Sequence, residues 1–339
     1  KVRKNKKAKE RIESAEVLFI DEVSMAKGDL LNKLDLVLKY VRRSNAPWGG
    51  IQVVVCGDFL QLPPIFKGDE RQELAFNCRA WREAKFEAVV LETVLRQQES
   101  CVLLKVLNDL RVGNTDSLAL LSARVGVTWS DSEIESVRIF CRNVDVDRYN
   151  RERLEKLTTE AKIYKAYDTG TESDTEFFNK NCLAQQVLEL RLGAQVLLLV
   201  NLDTDNGIVN GSVGVVKAFG PEGVTVKFKT RTVVVGRNEW ERKEQVVSAD
   251  GNITYRVVAS RRQIPLKVAY SLTVHKVQGM TLDRATIDVS EAFASGMVYV
   301  ALSRVRDMES LSLVGEIPRS AIRVNQECVD FYEGIARAD

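Results

Sequence analysis

Two short apolar runs, each followed at once by acidic residues, constrain what this chain can fold into. Residues 17 to 22 read Val-Leu-Phe-Ile-Asp-Glu, and residues 51 to 58 read Ile-Gln-Val-Val-Val-Cys-Gly-Asp. An apolar run that ends in polar residues is typical of a buried parallel strand whose carboxyl end faces a ligand crevice. The two runs therefore predict neighbouring strands of an α/β nucleotide-hydrolysing core. The phosphate-binding pattern G-x-x-x-x-G-K-[ST], expected before such strands, occurs nowhere in the 339 residues.

Length and composition restrict the class of protein. A chain of 339 residues has room for about two domains. Lys and Arg number 49 against 47 Asp and Glu, so net charge alone does not indicate a nucleic-acid partner. Six cysteines without a C-x-x-C pair, and a single histidine, argue against a zinc site or a disulfide framework. No apolar run reaches 18 residues, so we expect no membrane span. The basic stretch from Lys1 to Arg11 is either a solvated start of the chain or a phosphate contact.

The pattern of apolar residues predicts an α/β chain with a β-rich insertion. Helices are predicted at 30–41, 99–125, 145–157 and 297–304, and α/β strands at 16–20, 51–56, 88–91, 137–141, 285–289 and 311–314. Residues 168–181 are polar and predict a loop. Short apolar runs separated by glycines between 195 and 262 predict a small antiparallel barrel.

The acids at the strand ends suit phosphoryl transfer to water. Asp21 can hold Mg²⁺, and Glu22 can orient or deprotonate the attacking water, although an Asp at a strand–helix junction is also a common helix cap. A turn at Gly57 would bring Asp58 and Gln61 into the same crevice, where the Gln61 amide could sense a γ-phosphate. The structural alternative is a turn stiffened by the two prolines that follow.

Two polar blocks in the second half of the chain offer further candidates. Residues 273 to 281 read Thr-Val-His-Lys-Val-Gln-Gly-Met-Thr, and their donors suit contact with a phosphate backbone. His275 alone could equally be a satisfied core or surface residue. Ser303-Arg304 ends a helix with apolar faces, so Arg304 either caps or snorkels there or reaches a nucleotide as an arginine finger.

Taken in order, these blocks resemble the Pif family of DNA helicases, in superfamily one near the RecD-like branch. Asp21-Glu22-Val-Ser-Met25 is similar to the Walker B block, Gly57–Pro64 to the G-D-x-x-Q-L-P-P block, and Leu95-Arg96-Gln97 to the L/F-R-Q block. The most specific signal is the stretch peculiar to the family, Leu34-Asp-Leu-Val-Leu-Lys-Tyr-Val-Arg-Arg-Ser-Asn-Ala-Pro-Trp-Gly-Gly-Ile-Gln52. His275–Thr281 and Tyr299–Arg304 match the last two helicase blocks.

The resemblance implies an α/β fold with two RecA-like parallel-sheet motor domains, the first of them truncated at its N-terminus. A small Src-homology-three-like β-barrel would be inserted in the second domain. The expected divisions are the first motor domain at 1–94, the second at 95–205 and 263–320, the barrel at 206–262 and a C-terminal tail at 321–339. The Walker A segment would lie upstream of Lys1.

The resemblance also implies an ATP-dependent helicase that moves 5′ to 3′ on single-stranded DNA and unwinds forked or structured DNA. The expected motor is monomeric, requires ATP and Mg²⁺, and serves genome maintenance (repair, recombination, telomere or mitochondrial DNA upkeep) in the nucleus or mitochondrion. Asp21 would hold the metal. The expected catalytic residues are Glu22, Gln61, Arg96 and Arg304; the nucleotide contacts are Asp21, Glu22, Asp58, Gln61, Gln278 and Gly279; and the DNA contacts are Asn143, Thr273, His275 and Lys276.

Two residues depart from the family pattern. Met297 stands where the family usually has Gln, which could weaken a nucleotide or interdomain contact. Val277 replaces the usual Ser, which removes one hydroxyl that could bond DNA. The absent phosphate loop leaves a second hypothesis open, a non-catalytic scaffold or nucleic-acid-binding relative, and an RNA-directed relative is a third.

Overall fold

The first part of the chain forms a small parallel sheet with helices around it. The computed structural model describes residues 6–66, 68, 70–97, 101–247 and 253–336. Strand β1 (Val17–Ile20) pairs in parallel with β2 (Gln52–Val55), with Ile20 opposite Val55. The accompanying helices are α1 (Lys6–Ser14), α2 (Gly28–Arg42) and α3 (Arg79–Ala84). The predicted strands at 16–20 and 51–56 and the predicted helix at 30–41 are confirmed.

The family-specific stretch folds the loop before β2 back onto α2. Asp35 on α2 is fully buried, and its Oδ1 accepts a hydrogen bond from the backbone N–H of Trp48 at 2.8 Å. Trp48 and Gly49 both have positive φ, and a Cβ on Gly49 would lie 2.6 Å from the carbonyl oxygen of Leu38. Only glycine permits that approach without displacing the α2 backbone. The stretch is therefore specific because it encodes a turn against α2.

The second part begins with α4 (Val102–Arg111), a 3₁₀ helix (Asp116–Arg124), β3 (Val137–Phe140) and α5 (Asn143–Glu155). A β-rich region follows, in which β7, β8, β9, β10 and β13 form an antiparallel sheet in the order β10-β9-β8-β7-β13. The other strands form a three-stranded sheet, β11-β12-β5, and a pair, β4-β6. The bounds are β4 Lys162–Lys165, β5 Tyr167–Asp168, α6 Glu172–Asn181, β6 Val187–Leu190, β7 Gln195–Leu198, β8 Val213–Phe219, β9 Val224–Phe228, β10 Thr232–Val235, β11 Asn238–Val247, β12 Ile253–Gln263 and β13 Leu266–Val268.

The five-stranded sheet extends beyond the predicted insertion at 206–262 on both sides. Its strands start at Gln195 in β7 and end at Val268 in β13, and these two strands pair with each other. The insertion is thus closed at its base by the strands that lead into it and out of it.

A second parallel sheet resumes after the insertion. The remaining elements are β14 (Ser271–Thr273), α7 (Val274–Val277), β15 (Ala285–Ile287), α8 (Met297–Leu302), β16 (Leu311–Leu313) and α9 (Gln326–Ala336). The strand order is β14-β3-β15-β16, and all three pairings are parallel. With β1 and β2, this sheet confirms the predicted α/β class. None of the helices within the described ranges is both long and apolar enough to cross a membrane.

Three local predictions are wrong. Residues 88–91 form no strand: Val89 and Leu91 are largely exposed, and no described strand lies beside them. Residues 172–181, predicted as loop, form α6, because Thr171 and Asp174 build a capping box that satisfies the first backbone N–H groups. The segment after residue 320, predicted as a tail, contains α9, whose apolar face packs on the first domain.

The two parallel-sheet parts each donate a segment to the core of the other. Leu62, from the turn after β2, is fully buried in the cluster that contains α4, α8 and the second sheet. In return Cys328 of α9 is buried in the cluster of the first sheet, with Phe331 and Tyr332 packed against it. Burial of this apolar surface holds the two parts together across the cleft between them.

We predict that Asp35→Ala lowers the free energy of unfolding by about 2 to 3 kcal/mol, because it leaves the buried Trp48 N–H unpaired. Lys39 Nζ, 2.9 Å from Asp35 Oδ2, also loses a partner. The matched control is Asp29→Ala on the same helix, where the exposed carboxylate pairs with Lys33; there we expect at most about 1 kcal/mol. Urea unfolding followed by tryptophan fluorescence measures both. Equal losses in the two variants would contradict the role given to Asp35.

Candidate nucleotide and DNA site

The acids after β1 lie beside the turn after β2 because the two strands are parallel and in register. The backbone N–H of Val23 donates to the carbonyl of Cys56 at 2.9 Å. A Cβ on Gly57 would lie 2.9 Å from the nitrogen of Val23, so this contact requires glycine. Glu22 has left-handed backbone angles, φ 49 and ψ 43, and its N–H donates to Asp21 Oδ1 at 2.8 Å. A strained non-glycine residue at a strand end is typical of a functional site.

Glu22 is joined across the interdomain cleft to a helicase block of the second domain. Gln278 Nε2 donates to Glu22 Oε2 at 3.0 Å. The other amide atom, Gln278 Oε1, is buried without a hydrogen-bond partner among the described residues. Gly279, next along the chain, is exposed with φ +77, and a Cβ there would meet open space. These predicted nucleotide-contacting residues therefore meet at one place, with an unsatisfied acceptor beside Glu22.

Two arginines of the second domain converge on Ser303. Arg96 donates from Nη1 to the Ser303 carbonyl at 3.2 Å and from Nε to Thr281 Oγ1 at 2.9 Å. Arg304 is 2 % exposed, and its Nη2 donates to Ser303 Oγ at 2.5 Å. The Arg304 pKa is lowered to about 10, first by burial and then by the like charge of Arg96. Because the hydrogen bonds that they make in the described structure go to neutral acceptors, this corner of the cleft favours an anion.

Gln61 is held by Asp58 and by the second domain. Gln61 Nε2 donates to Asp58 Oδ2 at 3.1 Å. The same carboxylate oxygen accepts from Arg111 Nη1 at 2.6 Å. Gly296, just before α8, packs so closely that a Cβ would lie 2.6 Å from the Gln61 carbonyl oxygen. Asp58 is thus turned toward Gln61 and Arg111, and its predicted contact with a nucleotide stays a prediction.

The site fits a magnesium ion that is shared with a phosphate group. Among the described residues no three Asp, Glu, His or Cys side chains converge into a protein-only metal cluster. Mg²⁺ in such enzymes commonly takes one or two carboxylates, with water and substrate phosphate for the rest. The exposed carboxylate of Asp21 would hold it, and the ion would neutralise charge on the phosphate oxygens.

The predicted DNA contacts lie at the carboxyl edge of the second sheet. Asn143 follows β3 and His275 follows β14, and these two strands are parallel neighbours, with Thr273 opposite Phe140. Asn143 and Lys276 are exposed, whereas Thr273 is 4 % exposed. His275 stacks on the exposed ring of Phe293 with centroids 6.5 Å apart, and burial lowers its pKa, which favours the neutral imidazole. The edge thus combines an amide, a cation and an aromatic pair.

The two departures from the family pattern are core residues. Val277 is fully buried in the core of the second domain. Met297 is also fully buried there, at the start of α8. The expected effects of Val277 on a DNA contact, and of Met297 on a nucleotide or interdomain contact, stay predictions.

Sequence analysis missed two residues that organise the cleft, Arg111 and Tyr332. Arg111 was only the polar end of an amphipathic helix, and Tyr332 lay in the segment taken for a tail. In the structure the Arg111 guanidinium lies 5.7 Å from the ring centroid of Tyr299 and 5.5 Å from that of Tyr332. Tyr299 belonged to a recognised block, and its hydroxyl accepts from Arg111 Nη1 at 3.3 Å. No local sequence pattern predicts the contacts of Arg111 with Tyr299 and Tyr332, because these residues lie far apart in the chain.

Comparison with known proteins gives matches to one family. The family model described as PIF1-like helicase matches residues 1–113, and the model described as DNA helicase Pif1, 2B domain, matches residues 176–219. The ATP-dependent DNA helicase PIF1 of Danio rerio is 36 % identical over 330 residues, which cover 96 % of this chain and 50 % of the relative. The chain thus spans about half the length of the curated relatives that it matches.

Solved structures agree in fold over nearly the whole chain. The crystal structure of Pif1 helicase from Candida albicans has a TM-score of 0.85 and 33 % identity, covering 98 % of this chain and 80 % of the solved one. The structure of Pif1 helicase from Bacteroides in complex with ADP-AlF3 and ssDNA has a TM-score of 0.73 and 31 % identity, covering 98 % and 78 %. On fold, blocks and sequence identity together, this chain belongs to the Pif1 family of helicases.

Proposed function

We propose that this chain forms most of the two motor domains of an ATP-dependent DNA helicase. The observation that carries the proposal is the hydrogen bond between Gln278 and Glu22, at 3.0 Å. It joins the acid after β1 in the first domain to the block after β14 in the second. A nucleotide bound there would touch both domains, so its hydrolysis would change how they fit together.

The residues around the cleft divide the chemistry of hydrolysis among them. Glu22 orients the attacking water and accepts its proton. Arg96 and Arg304 stabilise the charge that develops on the transferred phosphoryl group, and the Gln61 amide reads the same group. A phosphate-binding loop is absent from the 339 residues, so the proposal requires that protein outside them supply it.

The DNA would lie along the carboxyl edge of the second sheet. Asn143, Lys276 and the Thr273 segment would contact phosphate, while the His275–Phe293 stack offers an aromatic surface to a base. His275 lies three residues before Gln278 in the chain, which supplies a short path from DNA to the nucleotide. The Bacteroides structure with ADP-AlF3 and ssDNA supports this pairing of ligands for the family.

The finer points of the function remain part of the proposal. They are movement from 5′ to 3′, a monomeric motor, action on forked or structured DNA, roles in repair, recombination and telomere or mitochondrial DNA upkeep, and a location in the nucleus or mitochondrion. A strand-displacement assay with 5′- and 3′-tailed duplexes tests the direction. The non-catalytic scaffold predicts DNA binding without DNA-stimulated ATP hydrolysis, and an RNA-directed protein predicts preference for an RNA strand.

We predict that Glu22→Gln in the full-length protein lowers the turnover number for ATP at least about 100-fold, because the amide cannot accept the proton of the attacking water. ATP and DNA affinities should stay within about threefold, since the amide keeps the shape of the side chain. Single-turnover hydrolysis and fluorescence anisotropy measure the two. Glu160→Gln, at an exposed position outside the cleft, is the matched control and should keep full turnover. Undiminished turnover in Glu22→Gln would remove Glu22 as the base.

We also predict that Lys276→Ala weakens binding of single-stranded DNA about equally for all sequences. Loss of one phosphate contact should reduce the slope of log affinity against log salt concentration by about 0.7. Anisotropy titrations across a salt series measure that slope. The control is Lys33→Ala, an exposed lysine on α2 that pairs with Asp29, for which we expect an unchanged slope. An unchanged slope in Lys276→Ala would place the DNA elsewhere.

A further inference from the structure

Helix α9 returns from the second domain to pack on the first. Phe331 stacks on Phe76 with centroids 4.6 Å apart and meets Phe59 edge-on at 5.3 Å. Phe59 is the residue between Asp58 and the rest of the G-D-x-x-Q-L-P-P block. This aromatic packing therefore delivers the next residue of α9, Tyr332, directly to the turn that carries Asp58 and Gln61.

The Tyr332 hydroxyl makes two hydrogen bonds to that turn. It donates to Asp58 Oδ1 at 3.3 Å and accepts from the backbone N–H of Phe59 at 3.2 Å. Burial and the charge of Asp58 raise the Tyr332 pKa to about 12, so the hydroxyl keeps its proton and remains a donor at neutral pH. The hydroxyl thus holds the Phe59 backbone and, together with the Leu60 backbone N–H, which donates at 3.1 Å, holds Asp58 Oδ1.

The second oxygen of the same carboxylate holds Gln61 and Arg111. Asp58 Oδ2 accepts from Gln61 Nε2 at 3.1 Å and from Arg111 Nη1 at 2.6 Å. The Arg111 guanidinium lies over the ring of Tyr332 as well, at 5.5 Å. Tyr332 therefore bonds one oxygen of Asp58, and Arg111 bonds the other. The Asp58 carboxylate in turn holds the NH₂ group of the Gln61 amide.

We propose that Tyr332 is a positioning residue for hydrolysis: through Asp58 it sets the orientation of the Gln61 amide in the nucleotide cleft. This rests on the proposed function, because it takes Gln61 as a reader of the transferred phosphoryl group. It also assigns to α9, which lies outside all the helicase blocks, a part in the reaction.

A role in packing alone would reside in the aromatic rings of α9, not in the hydroxyl. Tyr332→Phe keeps the ring and removes only the two hydrogen bonds to Asp58 and Phe59. The matched control is Tyr164→Phe, which removes a buried hydroxyl that has no hydrogen-bond partner among the described residues. Comparing the two variants separates the effect of losing the Tyr332 hydrogen bonds from the effect of removing any buried tyrosine hydroxyl.

The test is steady-state ATP hydrolysis by the full-length protein with saturating single-stranded DNA. We expect Tyr332→Phe to lower kcat about five- to tenfold, as for loss of one hydrogen bond to a charged group, with KM for ATP and the melting temperature nearly unchanged. Tyr164→Phe should keep the wild-type kcat. In a Gln61→Ala background, Tyr332→Phe should have no further effect, because the residue through which it acts is gone.

Each other outcome decides the matter. A wild-type kcat in Tyr332→Phe, or an equal loss in Tyr164→Phe, overturns the positioning role and leaves the helicase function standing. A loss in Tyr332→Phe that adds fully to that of Gln61→Ala also overturns it, since the effect would then come from the fold. Absence of DNA-stimulated hydrolysis in the wild-type protein overturns the proposed function, and the positioning role with it.

Discussion

The parallel pairing of β1 with β2 is the constraint on which the rest of the cleft depends. Because Ile20 lies opposite Val55, the segments that follow β1 and β2 leave the sheet at the same edge. There the Val23 N–H donates to the Cys56 carbonyl. Gly57 makes this approach possible, since any side chain there would collide with the Val23 backbone. Glu22 takes left-handed backbone angles in the same turn and so faces the second domain. The β1–β2 register thus fixes the part of the site that the first domain contributes.

Each parallel-sheet domain packs a segment into the core of the other, so the two domains are joined on both sides of the site. Leu62 anchors the turn after β2 in the core of the second domain, while α9 anchors the end of the chain on the first. Between these anchors lie the contacts of Asp58 with Arg111 and of Gly296 with Gln61. A change in the angle between the domains has to alter these contacts together, because both partners sit on rigid packed elements. The residues proposed to contact a phosphate therefore lie among the contacts that join the two domains.

Much of the α/β framework was predictable, because buried strands and amphipathic helices leave periodic apolar patterns. The cross-cleft meeting of Glu22 with Gln278 was predictable only through the family resemblance, since the two lie far apart in the chain. Polar composition predicted a loop at 168–181. The Thr171–Asp174 capping box instead begins helix α6 there, because it satisfies the first backbone N–H groups. The roles of Arg111 and Tyr332 leave no local pattern at all, because tertiary packing creates them.

The charge distribution around Arg304 is consistent with the proposed binding of a phosphate group. Arg304 is almost fully buried, lies near the like charge of Arg96, and makes its hydrogen bonds to backbone carbonyls and Ser303. Burial and the like charge of Arg96 lower the Arg304 pKa, and the negative charge of Glu22 offsets this only in part. An anion beside these two arginines would add the opposite charge that their neutral hydrogen-bond acceptors do not provide. This charge distribution is the one expected of a site that binds the phosphate groups of the proposed nucleotide.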